Sequence, residues 1–129
     1  MMEEIYIFCN LSEIQKSMVF ISKYLIPKGY LGLTLYPFII LKKKQLLEDK
    51  VLLNHERIHL KQQLEMLVLP FYVFYVLEFL WRWLWCLNWK KAYRNISFER
   101  EAYAHETDLE YLKSRQFWAF LKYLRNYDI

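Results

Sequence analysis

The sequence predicts a predominantly helical α+β fold with a small sheet at its N-terminal end. Runs rich in β-branched and aromatic residues occur before residue 42, whereas the segments after it have helical character. The length of 129 residues suits one domain. With 56% hydrophobic residues, 19% aromatic residues and two glycines, the composition is the opposite of a disordered chain. We therefore expect a single domain over residues 1–129 with its own core.

Two runs are candidates for the strands of this sheet. The segment Glu4–Cys9 alternates weakly and is rich in Ile, Tyr and Phe, which is typical of a short strand. A capping box, in which Gln15 follows Ser12 by three residues, predicts a short helix from Ser12 toward Lys23. The run Leu33–Leu41 is again β-branched and aromatic, but Pro37 interrupts it. Because proline cannot donate to a ladder, this run predicts an edge strand or a bent hairpin.

Four helical regions are predicted in the rest of the chain. The segment 45–69 has no internal Pro or Gly, and Pro70 then bends or ends the helix. Phe71–Asn88 forms a second, aromatic helix. A third region follows Ser97, and the basic, aromatic tail Phe117–Tyr127 makes the fourth.

The motif His55-Glu56-Arg57-Ile58-His59 carries the chemistry of the sequence. On a helix, positions i and i+4 lie one turn apart on the same face, so both imidazoles can reach one metal ion while Glu56 leans toward its open side. Catalytic zinc keeps one position for water and lowers the pKa of that water to about 7, and a nearby carboxylate takes the proton. The spacing therefore predicts His55 and His59 as zinc ligands and Glu56 as the general base. The plainer interpretation is a charged helix face that happens to spell the motif.

A third protein ligand has to come from elsewhere, and the helix predicted after Ser97 offers one. Ser97 can cap this helix and Glu99 lies near its start. Glu99 and Tyr103 share a face, whereas Glu101 points about 160° away. We favour Glu99 as the ligand, then Glu101, and then His105. The plainer role for Glu99 is that of a first-turn carboxylate beside the helix dipole.

HERIH followed by a helical E-x-x-A pattern resembles the gluzincin branch of the zincin metallopeptidases. This branch includes membrane peptidases that process prenylated proteins, heat-shock membrane peptidases and β-lactam sensor peptidases, which carry HExxH and then E-x-x-A-D. The resemblance implies His55, His59 and Glu99 as zinc ligands and Glu56 as the base. Tyr103 stands where those families have Asp, which leaves two alternatives: Tyr103 serves as a transition-state donor, or Glu101 has taken a different role. In minimal gluzincins an edge strand aligns the peptide substrate, a role that the predicted edge strand could take by strand addition.

The segment Met66–Trp89 contains only two charged residues, Glu78 and Arg82, and four of the five tryptophans lie near its end. It is long enough to span a bilayer, but a straight crossing would separate the histidines from Glu99 by roughly 30 Å. We therefore predict an antiparallel helical hairpin, bent at Pro70, that is buried in the protein, seated in the membrane interface or re-entrant. The plain interpretation of the aromatic residues is hydrophobic core.

Several other functions find no support in the sequence. Eighteen basic residues against fourteen acidic ones give a charge of +4, which is too small and dispersed to indicate a nucleic-acid partner. Cys9 and Cys86 match neither a CxxC motif nor a disulfide framework, which favours a reducing compartment. Neither cysteine has a recognisable histidine partner nearby, so nucleophile chemistry is not indicated. The first residues lack the basic region of a signal peptide.

Together these features predict a small zinc-dependent metallopeptidase that acts on a peptide or protein substrate. We expect contact with a membrane or its interface on the cytoplasmic side, with a soluble cytoplasmic protein as the alternative. A membrane-associated binding or scaffold protein with a vestigial or structural zinc site is the competing function. The two differ in whether Glu56 matters independently of folding, since a structural site needs no base. The sequence does not predict the oligomeric state.

Overall fold

The computed structural model describes residues 5–9 and 16–125 and confirms the α+β fold. A mixed four-stranded sheet has the order β1-β2-β4-β3, with β2 and β4 parallel and the outer pairs antiparallel. The strands are β1 (Ile5–Cys9), β2 (Lys16–Ile21), β3 (Gly32–Leu35) and β4 (Phe38–Leu41). The predicted N-terminal strand and bent hairpin are therefore confirmed. Pro37 lies in the hairpin turn, after a cis peptide bond, where no ladder hydrogen bond is needed.

The prediction of a helix from Ser12 toward Lys23 is wrong, because Lys16–Ile21 forms strand β2. The capping-box residues themselves lie outside the described residues. Val19 of β2 is fully buried in a core cluster with Ile39 and Leu41 of β4. This segment is a strand because it pairs with β1 on one side and with β4 on the other. A local capping signal carries no information about such pairing.

Helices make up most of the remaining chain. The helices are α1 (Lys50–Glu65), α2 (Leu69–Cys86), α3 (Trp89–Asn95), α4 (Ser97–His105) and the single turn α5 (Tyr111–Ser114). Short 3-10 helices cover Lys44–Glu48 and Ala119–Tyr123. The predicted fourth helix, Phe117–Tyr127, is thus reduced to one 3-10 segment, and its last two residues lie outside the described part of the chain.

The chain breaks between α1 and α2 just before Pro70, the residue from which the break was predicted. Leu67 and Val68 have left-handed φ values of 58° and 64°, which end α1. Pro70 lies in the first turn of α2, where its missing N–H has no helical partner to lose. The two helices differ in direction by 112°, so the predicted antiparallel hairpin is an open bend. Among the described residues, no single helix is long and apolar enough to cross a membrane, and only this bent pair passes such a test jointly.

One hydrophobic cluster packs α1 against the sheet, and a second holds the later helices together. One cluster joins the sheet to Leu53 and Leu60 of α1. The other cluster is aromatic and joins α2 to α4 and the last 3-10 helix; its buried members are Phe71, Ile96, Phe98 and Phe120. The HExxH helix therefore packs its apolar residues against the sheet, and it reaches α4 through hydrogen bonds of the Gln62 side chain.

Candidate metal centre

The buried face of α1 is unusually polar. The helix begins after Asp49, whose side chain accepts a hydrogen bond from the Leu52 N–H. Six buried side chains of α1 are polar, and every one of them makes a hydrogen bond; they are Asn54, His55, Glu56, His59, Gln62 and Gln63. Burying polar groups costs free energy unless each finds a partner. A buried helix face with this many polar side chains is typical of a binding or catalytic site.

His55, His59 and Glu99 converge at the centre of this face. The two Nε2 atoms are 3.1 Å apart, and Glu99 Oε2 lies 3.3 Å from His55 Nε2 and 3.2 Å from His59 Nε2. Ligands at about 2.0–2.1 Å from a tetrahedral zinc ion are about 3.3 Å from one another. All three residues are buried, and their donor atoms form a group that could hold a metal ion. The geometry therefore brings together the three residues that the sequence favoured.

The second nitrogen of each imidazole is held by an acceptor. His55 Nδ1 lies 2.8 Å from Glu106 Oε2, and His59 Nδ1 lies 2.8 Å from Gln62 Oε1. The Gln62 orientation is set by its Nε2, which donates to the carbonyl of Phe98 and to Glu101. Each Nδ1 therefore carries a proton, and in the neutral imidazoles both Nε2 lone pairs are directed toward Glu99. Three electron-rich atoms this close repel one another unless a positive charge lies among them, either a metal ion or a proton on an imidazole.

The charges at the centre agree with this geometry. Burial disfavours the charged form of His59, but the Glu99 carboxylate outweighs burial and raises the pKa of His59 to about 9. Burial also opposes the charge on Glu99, yet the attraction of both imidazoles holds the pKa of Glu99 well below its usual range. The centre thus favours a positive charge beside an ionised carboxylate, and without a metal ion that charge is a proton on His59.

Glu56 lies beside this group, against the edge strand. Thr34 Oγ1 donates to Glu56 Oε2 at 2.5 Å. A Cβ atom on Gly32 would lie only 2.7 Å from Glu56 Oε1, so a side chain at this position of β3 would displace the carboxylate from its present place. Burial raises the pKa of Glu56, although His59 and His55 act in the opposite direction. A carboxylate with a raised pKa and an immobilised oxygen is suited to accept a proton.

A cavity of about 460 Å³ opens onto Glu56 and the two histidines. Its walls are mainly apolar, and their aromatic residues come from the loop before β3, from α2 and from α3; these are Tyr30, Phe71, Tyr72, Tyr75, Phe79, Trp89 and Tyr93. The phenol of Tyr75 donates to Glu99 Oε1 at 2.7 Å, which leaves Oε2 for the histidines. The cavity therefore combines an apolar body with a few convergent polar groups, as ligand sites do.

The outward edge of β3 is partly occupied. Gln63 Nε2 donates to the Thr34 carbonyl, and Gln63 Oε1 accepts from the Tyr36 N–H at 2.8 Å. Tyr72 Oη also donates to the Thr34 carbonyl. A peptide that adds to this edge in the predicted way would therefore have its backbone hydrogen bonds only at the Gly32 end, next to Glu56.

The two alternative ligands lie elsewhere. Glu101 is fully buried and pairs with Arg115, which also binds Glu65. His105 hydrogen-bonds Tyr123 Oη at 2.7 Å and stacks on the ring of Tyr111. The cause is the geometry of α4, which turns Glu99 and Glu101 to different sides. Glu99 is the residue that α4 presents to the histidines.

Two details of α4 differ from the prediction. Ser97 does not cap the helix, because its N–H and its hydroxyl both donate to Glu78 of α2. Tyr103 contacts the His55 ring edge-on, with ring centres 4.6 Å apart, but it is not among the residues that line the cavity. It hydrogen-bonds Tyr93, which does line the cavity.

The sequence did not indicate the residues that hold the imidazoles. Gln62 lies three positions after His59 on the same helix face, a spacing from which it could have been found. Glu106 follows α4 and has no such signal. The Asn54 amide donates to the carbonyls of His105, Glu106 and Asp108, and so fixes the chain that presents Glu106.

Replacing Glu106 tests this support. Loss of an outer carboxylate lowers metal affinity by about 10- to 100-fold, because the imidazole loses its fixed orientation and part of its basicity. We expect Glu106→Ala to weaken zinc affinity by this factor, measured by competition with a chromophoric chelator. Glu110→Ala is the matched control, because the Glu110 side chain is exposed and pairs with Lys113 on the surface. Equal zinc affinities in the two variants would contradict the role of Glu106.

No protein-family model, no curated protein and no solved structure matches this chain. The resemblance to gluzincins therefore rests on the two motifs and on the positions of their residues. Within the described residues, those positions form a buried group of two histidines and one glutamate that could hold a metal ion.

Proposed function

We propose that the protein is a zinc-dependent metallopeptidase that hydrolyses peptide bonds, with Glu56 as its general base. One observation carries the proposal. Three metal-donor atoms lie about one zinc-ligand spacing apart, and the buried carboxylate of Glu56 lines the same cavity as the two histidines among them. A structural site would need the three donors and a fourth ligand from the protein, but it would need neither the carboxylate nor the cavity.

His55, His59 and Glu99 would hold the ion. Two imidazoles and one carboxylate are the protein ligands of one class of catalytic zinc sites, in which the fourth position is left open. Bound there, zinc supplies Lewis-acid chemistry, which polarises a carbonyl group and lowers the pKa of water to about 7. Tyr75 and the outer partners Glu106 and Gln62 keep the three donor atoms in position.

Glu56 takes the proton from the attacking water and returns it to the leaving amine. Its burial raises its pKa, which brings the carboxylate closer to the range in which it can both accept and donate a proton near neutral pH. The Thr34 hydroxyl holds Oε2, and Oε1 lies against Gly32 at the wall of the cavity. Gly32 thereby admits both the carboxylate and a passing peptide backbone.

A phenol is proposed to stabilise the charge that develops on the carbonyl oxygen. Tyr103 was the predicted donor. Since Tyr93 lines the cavity and Tyr103 contacts both Tyr93 and His55, we assign the donation to Tyr93 and the positioning to Tyr103. Burial raises the pKa of Tyr93, so its phenol remains protonated and able to donate at neutral pH.

Hydrolysis of a broad peptide library tests the function. The library should include peptides with apolar side chains, because the walls of the cavity are mainly apolar. We expect cleavage by the zinc-loaded chain, loss of cleavage after treatment with a chelator, and recovery when zinc is added back. Cleavage that persists after complete removal of the metal would contradict the proposal.

A further inference from the structure

The helix α2 carries its charges on the inside. Glu78 and Arg82 are its only charged residues, and their side chains are only 8% and 6% exposed. They pair with each other at 2.7 Å, and Glu78 also accepts hydrogen bonds from the N–H and hydroxyl of Ser97 at the start of α4. The charged pair therefore joins α2 to the body of the protein.

The outward face of α2 is apolar. Leu77 is 60% exposed and Leu84 is 72% exposed, and further exposed side chains at helical spacing continue the same stripe; these are Val73, Val76, Leu80, Trp81 and Trp85. A helix at the surface of a soluble domain normally has the opposite arrangement, with charged residues facing water. A contiguous apolar surface of this kind marks an interaction site. We call this stripe the apolar face of α2.

Positive charge borders the apolar face. Between Glu78 and Glu99 the sequence contains no acidic residue, whereas Lys90, Lys91 and Arg94 all lie on α3. Trp89, at the start of α3, is also half exposed. Exposed tryptophans next to basic residues are typical of the boundary between lipid acyl chains and anionic headgroups. A second copy of this chain would bring the same positive charges together, so charge complementarity favours an anionic lipid surface.

We propose that α2 lies in the surface of a lipid bilayer that contains anionic lipid, with its apolar face in the acyl boundary. Lys90 and Lys91, which follow the C-terminal end of α2, contact the lipid headgroups. The helix does not cross the bilayer, because Glu78 on its inward face holds Ser97 of α4 and Arg82 binds the Leu124 carbonyl. This binding requires neither metal nor catalysis.

The cavity of the candidate metal centre opens beside this surface. Val76 belongs both to the apolar face and to the cavity wall, and Phe79 and Trp89 line the same wall. If the proposed peptidase function holds, on which this step rests, the substrates are apolar peptide segments that reach the cavity from the membrane surface. The cleavage site of a membrane protein would then lie close to the bilayer.

Vesicle flotation of the full chain tests the docking. We expect the chain to float with vesicles of equal parts phosphatidylcholine and phosphatidylglycerol, and more weakly with phosphatidylcholine alone. The double variant Leu77→Asp/Leu84→Asp should lower the bound fraction at least about tenfold, because two charges would enter the acyl boundary. Leu25→Asp/Leu109→Asp is the matched control, since both leucines are about half exposed elsewhere on the surface. Replacing Lys90 and Lys91 with Gln should remove the preference for phosphatidylglycerol.

The outcomes separate docking from catalysis. If the chain still floats with vesicles after the metal is removed, membrane docking is supported. This holds whether or not the chain hydrolyses peptides. Equal flotation of the two leucine variants would overturn the proposal. So would a wild-type chain that ignores vesicles and forms a dimer by light scattering, if Leu77→Asp/Leu84→Asp converts that dimer to monomer. In that case the apolar face would bind a second copy.

Discussion

Glu56→Gln is expected to abolish most hydrolysis while leaving zinc bound. The substitution keeps the shape of the side chain but removes its ability to accept a proton. Loss of a general base costs roughly two to four orders of magnitude in rate. We expect a fall of this size in the rate of peptide cleavage, with one zinc ion per chain retained in metal analysis. His55→Ala and His59→Ala should behave differently and lose metal and activity together.

The conservative change is also expected to preserve the fold. The amide oxygen can still accept the hydrogen bond of Thr34, and Gly32 leaves room for an amide as well as for a carboxylate. Glu48→Gln is a suitable control, because Glu48 is an exposed glutamate just before α1. Melting temperatures of the two variants should agree with that of the wild type.

A second outcome would favour the scaffold function. If wild type and Glu56→Gln behave alike across a broad panel of peptides and membrane proteins while both hold zinc, Glu56 has no role as a base. The metal would then be structural, since a structural site needs no base. The apolar face of α2 would remain as the functional surface, and the metal would stabilise the helices behind it.

Glu99→Ala is expected to weaken zinc binding, whereas Glu101→Ala is expected to destabilise the fold. Glu99 supplies the carboxylate oxygen that faces both imidazoles, so its removal should weaken zinc binding by more than about 100-fold, beyond the effect of losing an outer partner. Glu101 lies in the buried ion cluster with Arg115 and Glu65. Breaking a buried ion pair by removing one partner costs about 3–5 kcal/mol. Glu101→Ala should therefore lower the free energy of unfolding by about this amount.

Zinc should remain bound to the folded fraction of Glu101→Ala. His59 is held by Gln62, and Gln62 keeps its hydrogen bond to the Phe98 carbonyl when Glu101 is removed. Urea unfolding and zinc titration, carried out on both variants, measure the two effects separately. A stable Glu101→Ala protein that has lost zinc, together with a zinc-loaded Glu99→Ala protein, would reassign the ligand.

The predictable part of the site follows from helix periodicity. His55 and His59 share a face because they are one turn apart, and Glu99 is favoured over Glu101 because only one of the two can face the histidine pair. Both relations are local, and the structure places all three residues as the spacing predicts. The break between α1 and α2 was likewise visible from Pro70, although the residues that end α1 are Leu67 and Val68.

The remaining features depend on contacts between distant segments. Met18 to Ile21 joins the sheet because β4 lies beside it in parallel, and no local pattern reports a partner this far along the chain. Glu106 reaches His55 only because Asn54 fixes the chain after α4. The inward placement of Glu78 and Arg82 likewise depends on where α4 begins. Sequence periodicity identifies a charged pair there but not the face on which it lies.

Metal analysis of the full chain tests the central claim most directly. The chain should be purified without chelator, supplied with zinc and desalted, and its metal content measured beside that of His59→Ala. The site of His55, His59 and Glu99 predicts about one zinc per wild-type chain and almost none in the variant. A wild-type chain without zinc after this treatment, or a folded His59→Ala variant that retains a full equivalent, would contradict the account.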